Sequence, residues 1–346
     1  MTGPLRVDPR TDPRWEALVS GPGGSLFTSP PWIGAVCDTY GFEPTADVVV
    51  APAGRPVAGV AWVDVRDLRG QRRSVLPFCD RAEPVAADAQ AWSAVSGRLL
   101  AGDLPVTVRS LAGAAPDGDA RFTVVGEAAW HETRLDRPLD AVHRSFRSQT
   151  RRNIATAERS GVEVVLSAGS EAVQELHRLH VELRKRKYRL LAQPAELFER
   201  IWKAFAPADG VRTALALVDG RPVAGALYLV WQDTVYYKFG ASRAEHLALR
   251  PNDAIHWALI QWASERGLRA LDWGLSDLDQ PGLVAYKRKW ASTEGRIRTL
   301  NAGGPPVGRS ADVEHTLRVV TDLMTDPSVP DDVTARAGAA LYRYFC

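Results

Sequence analysis

Thr213–Trp290 reads TALALVDGRPVAGALYLVWQDTVYYKFGASRAEHLALRPNDAIHWALIQWASERGLRALDWGLSDLDQPGLVAYKRKW. Thr213–Val218 and Val223–Val230 are apolar and β-branched runs split by the turn Asp219-Gly220-Arg221-Pro222, the pattern of two paired strands. Thr234–Gly240 is a third strand, with Tyr236 and Tyr237 on opposite faces because strand side chains alternate. Pro251 opens a helix through Arg266 and Gly267 closes it, proline suiting the first turn and glycine the position past the last. Leu268–Leu275 returns as a strand, and the stretch ends in a basic-aromatic loop, Pro281–Trp290. Strands bracketing a helix predict a mixed-sheet α/β (α+β) module.

Upstream, part of this pattern occurs a second time. Gly54-Arg55-Pro56-Val57-Ala58-Gly59 is identical to Gly220–Gly225, and Arg81-Ala82-Glu83 to Arg243-Ala244-Glu245. Each copy continues with a helix, a glycine (Gly102, Gly267) and a strand. Three matches in register over a period far too long for a solenoid predict duplication of one module. The expected division is 1–138, 139–304 and a helical tail, 305–346, with helices at Ala311–Met324 and Asp331–Tyr344. Between the copies, Leu139–Ser160 reads as helix with a break near Ser148. The second copy carries Tyr237 and the Tyr286–Trp290 loop where the first has only Leu76-Pro77-Phe78-Cys79-Asp80, so the chemistry is assigned to the second copy.

At 346 residues, 45% apolar and 24% charged, the chain has the composition of an ordinary soluble protein of about two domains. The net charge of +2 is unevenly spread: between His143 and Arg189 stand 11 Lys/Arg against 5 Asp/Glu. One basic belt on a mildly acidic body points to an anionic ligand. The three cysteines have no metal-ligand spacing and suit reduced thiols in a cytoplasmic protein. The N-terminus lacks a secretory apolar run, and no window is long enough to span a membrane.

Four pieces in order resemble the FemAB family of the GNAT superfamily, the peptidoglycan-bridge aminoacyltransferases and related acyltransferases. They are the Arg-rich segment Phe146–Val164, then Leu183-Arg184-Lys185-Arg186-Lys187-Tyr188, then Tyr236–Ser242 with Pro251-Asn252, and last Trp262–Gly274 followed by Tyr286-Lys287-Arg288-Lys289-Trp290. The resemblance covers about Leu139–Leu300. It implies tandem GNAT-like domains and transfer of an acyl or aminoacyl group to an amine. Two features depart from it. No room exists for the long coiled-coil arm of many bridge enzymes, and Ser242–Arg250 replaces the Gly-rich pyrophosphate loop, whose small residues let backbone N–H groups close on phosphate.

Candidate residues follow, each with a plainer role beside it. Lys287 matches the family's aromatic-Lys pair with Tyr286 and is expected to hold a donor phosphate or developing negative charge; the plainer role is a solvated loop lysine. Lys289 reads as solvated and Trp290 as packed beneath the loop. Arg184 and Arg186, with Tyr188 adjacent, suit bidentate anion binding, although cations also complement a helix C-terminus. Arg147 and Arg151, with Arg144, share a face if their helix is continuous, and could track a tRNA stem or merely face solvent. Tyr237 is the expected hydrogen-bond donor. Asp272 orients an amine or caps a turn. His256, in a Trp-rich helix, reads as structural. Three functions remain open: transfer from aminoacyl-tRNA, needing no cofactor, to a small amine or cell-wall precursor; transfer from acyl-CoA; and non-catalytic binding of tRNA or precursor.

Overall fold

The computed structural model describes residues 3–68, 70–304 and 310–345. In chain order the first half gives β1 (Leu5–Val7), α1 (Pro13–Val19), α2 (Pro30–Tyr40), β2 (Pro44–Val50), β3 (Pro56–Asp67), β4 (Gly70–Ser74), β5 (Val85–Ala86), α3 (Ala89–Leu99), β6 (Val106–Leu111) and β7 (Thr123–Arg134). The helices α4 (Leu139–Ser145) and α5 (Ser148–Arg159) follow. The second half gives β8 (Glu163–Ser167), α6 (Ser170–Leu183), α7 (Ala195–Phe205), β9 (Val211–Val218), β10 (Arg221–Trp231), β11 (Thr234–Ser242), α8 (Pro251–Glu265), β12 (Ala270–Asp277), α9 (Pro281–Arg288) and β13 (Thr293–Ala302). Two helices end the chain, α10 (Ala311–Met324) and α11 (Asp331–Leu341). Among the described residues no helix is long and apolar enough to cross a membrane.

Contacts divide the chain into two compact units, Met1–Ala129 with Gly295–His315, and Trp130–Glu294 with Thr316–Phe345. The first orders its strands β1-β2-β3-β4-β6-β13; the second orders them β8-β9-β10-β11-β12-β7. The pairings correspond step for step. Three antiparallel pairings lead to a parallel one, β4 with β6 in the first unit and β11 with β12 in the second. The last strand of each unit comes from the other half of the sequence. The expected cuts at 138 and 304 do not follow this exchange, because strand pairing is set by non-local hydrogen bonds that sequence spacing does not reveal.

The repeated hexapeptide has a packing reason. A Cβ on Gly59 would lie 2.6 Å from a Leu18 methyl of α1, and one on Gly225 would lie 2.9 Å from Leu215 and 3.1 Å from Leu176 of α6. In both units a helix leucine presses on the strand where the side chain is missing.

The second unit's core holds Tyr228, Leu259, Trp273 and Trp290. Thr133 of β7 ties it together, accepting from Trp273 Nε1 at 2.8 Å and donating to the Trp290 carbonyl at 2.8 Å. The inter-copy helix breaks at Phe146 and Arg147, both extended. The Phe146 ring packs on His143, Trp257 and Trp290 there. Because of that break Arg144, Arg147 and Arg151 share no continuous face. The segment between β8 and β9 holds the short helices α6 and α7.

Candidate active site

β11 and β12 run side by side only at their starts, Thr234–Tyr236 against Ala270–Asp272. Beyond that β12 bends. Gly274 takes φ of +66°, a backbone conformation that favours glycine, and its N–H donates to Asp272 Oδ1 at 2.7 Å. Across the gap β11 carries a bulge: Leu227 faces Phe239 while Tyr228 faces Tyr237, leaving Lys238 as the extra residue. A bulge re-aims the side chains that follow it. It brings Tyr237 and Gly240 to one face, where a Cβ on Gly240 would sit 2.0 Å from the Tyr237 hydroxyl. Glycine at 240 is what lets the tyrosine lie along its own strand.

Beside β11 there is an open cavity of about 940 Å³. Tyr237, Gly240, Ala241 and Ser242 of β11 line it, with Asn252 and His256 of α8 and Gly282, Leu283 and Tyr286 of α9. The remaining walls are the end of α6 with Arg186, Lys187 and Tyr188, and the turn carrying Arg243, Glu245 and Leu247. That turn is a 3-10 helix, Ala244–Leu249. Glu182 bridges two of the cations, accepting from Arg186 at 3.1 Å and Arg243 at 3.3 Å.

The expected site residues therefore divide. Tyr237, Tyr286, Arg186 and Tyr188 meet in one cavity. Lys287 does not line it. Pro281–Arg288 is helix, not loop, since Pro281 takes its first turn, and Lys287 is buried with Nζ donating to the Leu275 carbonyl at 2.7 Å. Asp272 is buried at the bend of β12 and holds Gly274, the turn-capping role. Arg184 is spent on the Leu191 carbonyl at 3.0 Å. Arg151 donates to the carbonyls of Arg144 and Phe146, closing the end of α4. Arg147 is the residue before α5 and does not line the cavity.

The basic run 184–189 is sorted by a π-helical turn, Arg184–Tyr188, a form that recurs at functional sites. Lys185 points to the C-terminal tail, reaching Val329 and, at 2.8 Å, Asp331; Arg189 reaches the Thr325 carbonyl at 2.8 Å. Arg186, Lys187 and Tyr188 face the cavity.

Lys289 is not solvated. Its Nζ lies 2.5 Å from Asp253 Oδ1, with side-chain exposures of 16% and 6%, and 4.2 Å from the Tyr286 ring centroid. Burial pushes the ammonium below its usual value against the pull of Asp253.

His256, which reads as structural in the sequence, lines the cavity; its spacing of four from Asn252 on one helix face is the signal for it. Burial, then Lys289 and Lys287, hold its imidazole neutral by lowering its pKa well below the usual value. Burial raises Tyr237 to about 12. Burial and Asp253 raise Tyr286 well above the phenol range. At neutral pH the inner cavity thus presents uncharged hydrogen-bonding groups, and its charges sit at the α6 end and the 3-10 turn.

Residues 144–288 match the family model described as acetyltransferase (GNAT) domain. Over 80 residues the chain is 31% identical to a lipid II:glycine glycyltransferase of Staphylococcus saprophyticus, covering 21% of this chain. The chain spans only about a fifth (19%) of that relative's length. Among solved structures, the crystal structure of FemX matches with TM-score 0.69 at 16% identity, over 86% of this chain and 97% of that one. L-PGS from Bacillus licheniformis matches with TM-score 0.54 at 18% identity, over 92% and 98%. Residues 144–288 are thus similar to the GNAT acetyltransferase domain, and the chain shares its fold with FemX.

Proposed function

We propose that the chain is an N-acyltransferase that moves an aminoacyl group from aminoacyl-tRNA to an amine of a cell-wall precursor or natural-product intermediate, acting in the cytoplasm. One observation carries the choice of donor. The cavity lies beside β11, α8 and α9, and the turn bordering it is a 3-10 helix, Ala244–Leu249, presenting Glu245 and Leu247 with Arg243 just before it. Such a turn offers no ring of small-residue N–H groups for a CoA pyrophosphate. The staphylococcal relative's activity, glycyl transfer to lipid II, supports the same reading.

In this reading Arg186 and Lys187 meet donor phosphate, and exposed Tyr188 offers a face on which a terminal base stacks. Tyr237 and Tyr286, keeping their protons, donate hydrogen bonds to the reacting groups. Lys287, Asp272, Arg184 and Arg151 act at one remove, by holding α9, the bend of β12, the π-helical turn and the end of α4. Aminolysis of an ester is downhill, so holding amine and carbonyl in line supplies much of the rate, up to ~7–11 kcal/mol.

The test is turnover of purified protein with charged tRNA and an amine-bearing cell-wall precursor, with and without ribonuclease. The reading predicts product that ribonuclease abolishes. Product that survives ribonuclease and requires acyl-CoA replaces the donor; none with either donor leaves a binding protein.

A further inference from the structure

Tyr228 and His256 form a buried pair that the roles above leave unused. Tyr228, on β10 opposite Tyr237, is fully buried, and its hydroxyl lies 2.5 Å from His256 Nδ1. Four rings fix the imidazole plane: Trp273 at 4.8 Å, Tyr237 at 5.1 Å, Trp290 at 5.6 Å and Tyr286 at 5.8 Å between centroids. The ring lines the cavity one helical turn after Asn252.

The tautomer follows from hydrogen-bond satisfaction. Among the described residues, Nδ1 is the one hydrogen-bond partner of the Tyr228 hydroxyl. If Nδ1 carried the proton and donated, the phenol hydrogen would be buried without an acceptor, at a desolvation cost. With the phenol donating, Nδ1 is the acceptor and the imidazole proton resides on Nε2. Lys287 and Lys289 on neighbouring backbone disfavour a second proton, and Asp253 is engaged with Lys289. The result is a neutral ring whose remaining N–H belongs to a cavity wall.

We propose that His256, held by Tyr228 as the Nε2–H tautomer, donates the hydrogen bond that receives the donor's carbonyl oxygen as it becomes the tetrahedral oxyanion. The inference rests on the acyl-transfer reading. The amine nitrogen bonds to the carbonyl carbon and the C=O π pair moves onto oxygen, which accepts from Nε2–H. Collapse restores C=O and breaks the ester C–O bond, and the amine's proton leaves with the departing hydroxyl. His256 gives up no proton and needs none from solvent. A neutral donor suits this work because its bond strengthens as charge develops.

The test uses the full chain, charged tRNA and the amine-bearing precursor. His256→Ala is expected to lower kcat by ~100–1000-fold, the loss typical of one oxyanion donor, with donor KM changed less than about threefold. His256→Gln, which keeps an N–H there, is expected to recover at least about tenfold of that loss, and melting curves check folding of both. Nitrogen-15 NMR of histidine-labelled protein should show an acceptor-type Nδ1 and a protonated Nε2 at neutral pH, an arrangement that Tyr228→Phe removes. A wild-type enzyme that turns over while His256→Ala matches it, or a spectrum with the proton on Nδ1, overturns the proposal and leaves the acyl-transfer reading standing. A wild type inactive with both charged tRNA and acyl-CoA overturns that reading and this proposal with it.

Discussion

Replacing Asp253 by Asn should loosen the wall of the cavity far more than a surface change would. Asp253 and Lys289 are 2.5 Å apart and almost shielded from water. Asn153 of α5 reaches the same carboxylate oxygen at 3.4 Å, and the ammonium rests on the Tyr286 ring. Removing one member of a buried pair leaves the other's desolvation uncompensated, typically ~3–5 kcal/mol. Lys289 keeps some exposure and can swing toward solvent, so the low end, about 3 kcal/mol, applies here. For a unit of this size that is a fall in Tm of roughly 6–12 °C by calorimetry. The double variant Asp253→Asn with Lys289→Met should regain most of the loss, because an apolar chain needs no counter-charge. A melting point within about 1 °C of wild type for Asp253→Asn, or strictly additive losses in the double variant, would refute the reasoning.

Three further outcomes are expected. Gly59→Ala and Gly225→Ala should each cost ~1–3 kcal/mol by overpacking against Leu18 and Leu176, measured by urea unfolding; neutrality at either would sever the packing link between the repeats. Gly240→Ala should displace Tyr237 and lower kcat/KM by at least about tenfold without a comparable loss in Tm, read by transfer kinetics and melting together. His180, buried beside Gln193, has its pKa lowered to about 3. The native state therefore stays unprotonated where the unfolded chain binds a proton. Its contribution is complete above about pH 6.5 and is lost as pH falls toward 3, roughly 1.4 kcal/mol by pH 5.5. Unfolding free energies of wild type and His180→Gln between pH 5 and 8 check the slope.

Much of the second unit was legible because its signals are local. Asp219-Gly220 turns, Pro251 starts a helix and Gly267 ends one, and β10, β11 and α8 lie within a residue or two of their expected places. The duplication was legible because glycine at 59 and 225 answers the same helix-on-strand contact. What stayed hidden depends on distant partners. Lys287 and Lys289 look alike in a basic run, yet one finds the Leu275 carbonyl and the other Asp253. Pro281-Gly282 reads as loop until Val284 is seen buried on the helix it begins. Arg73–Phe78 reads as strand, but pairing stops at Ser74, where Leu76 and Phe78 take positive φ. Arg121–Gly126 and His131–Arg134 read as separate strands but form one, β7. Of the cavity residues, strand alternation points to Tyr237 and the resemblance to Tyr286, whereas His256 in its Trp-rich helix reads as core. It is buried as core residues are, but on the one turn of α8 that borders open space.

The most direct measurement is the fate of a labelled amino acid in a single turnover. The chain is mixed with tRNA charged with an isotopically labelled amino acid and an amine-bearing cell-wall precursor, and the precursor is examined by mass spectrometry after mild base. The expected product is a base-stable amide, the precursor heavier by one labelled aminoacyl residue, formed only with intact tRNA. Label that stays esterified to tRNA, or appears solely as free amino acid, would contradict it.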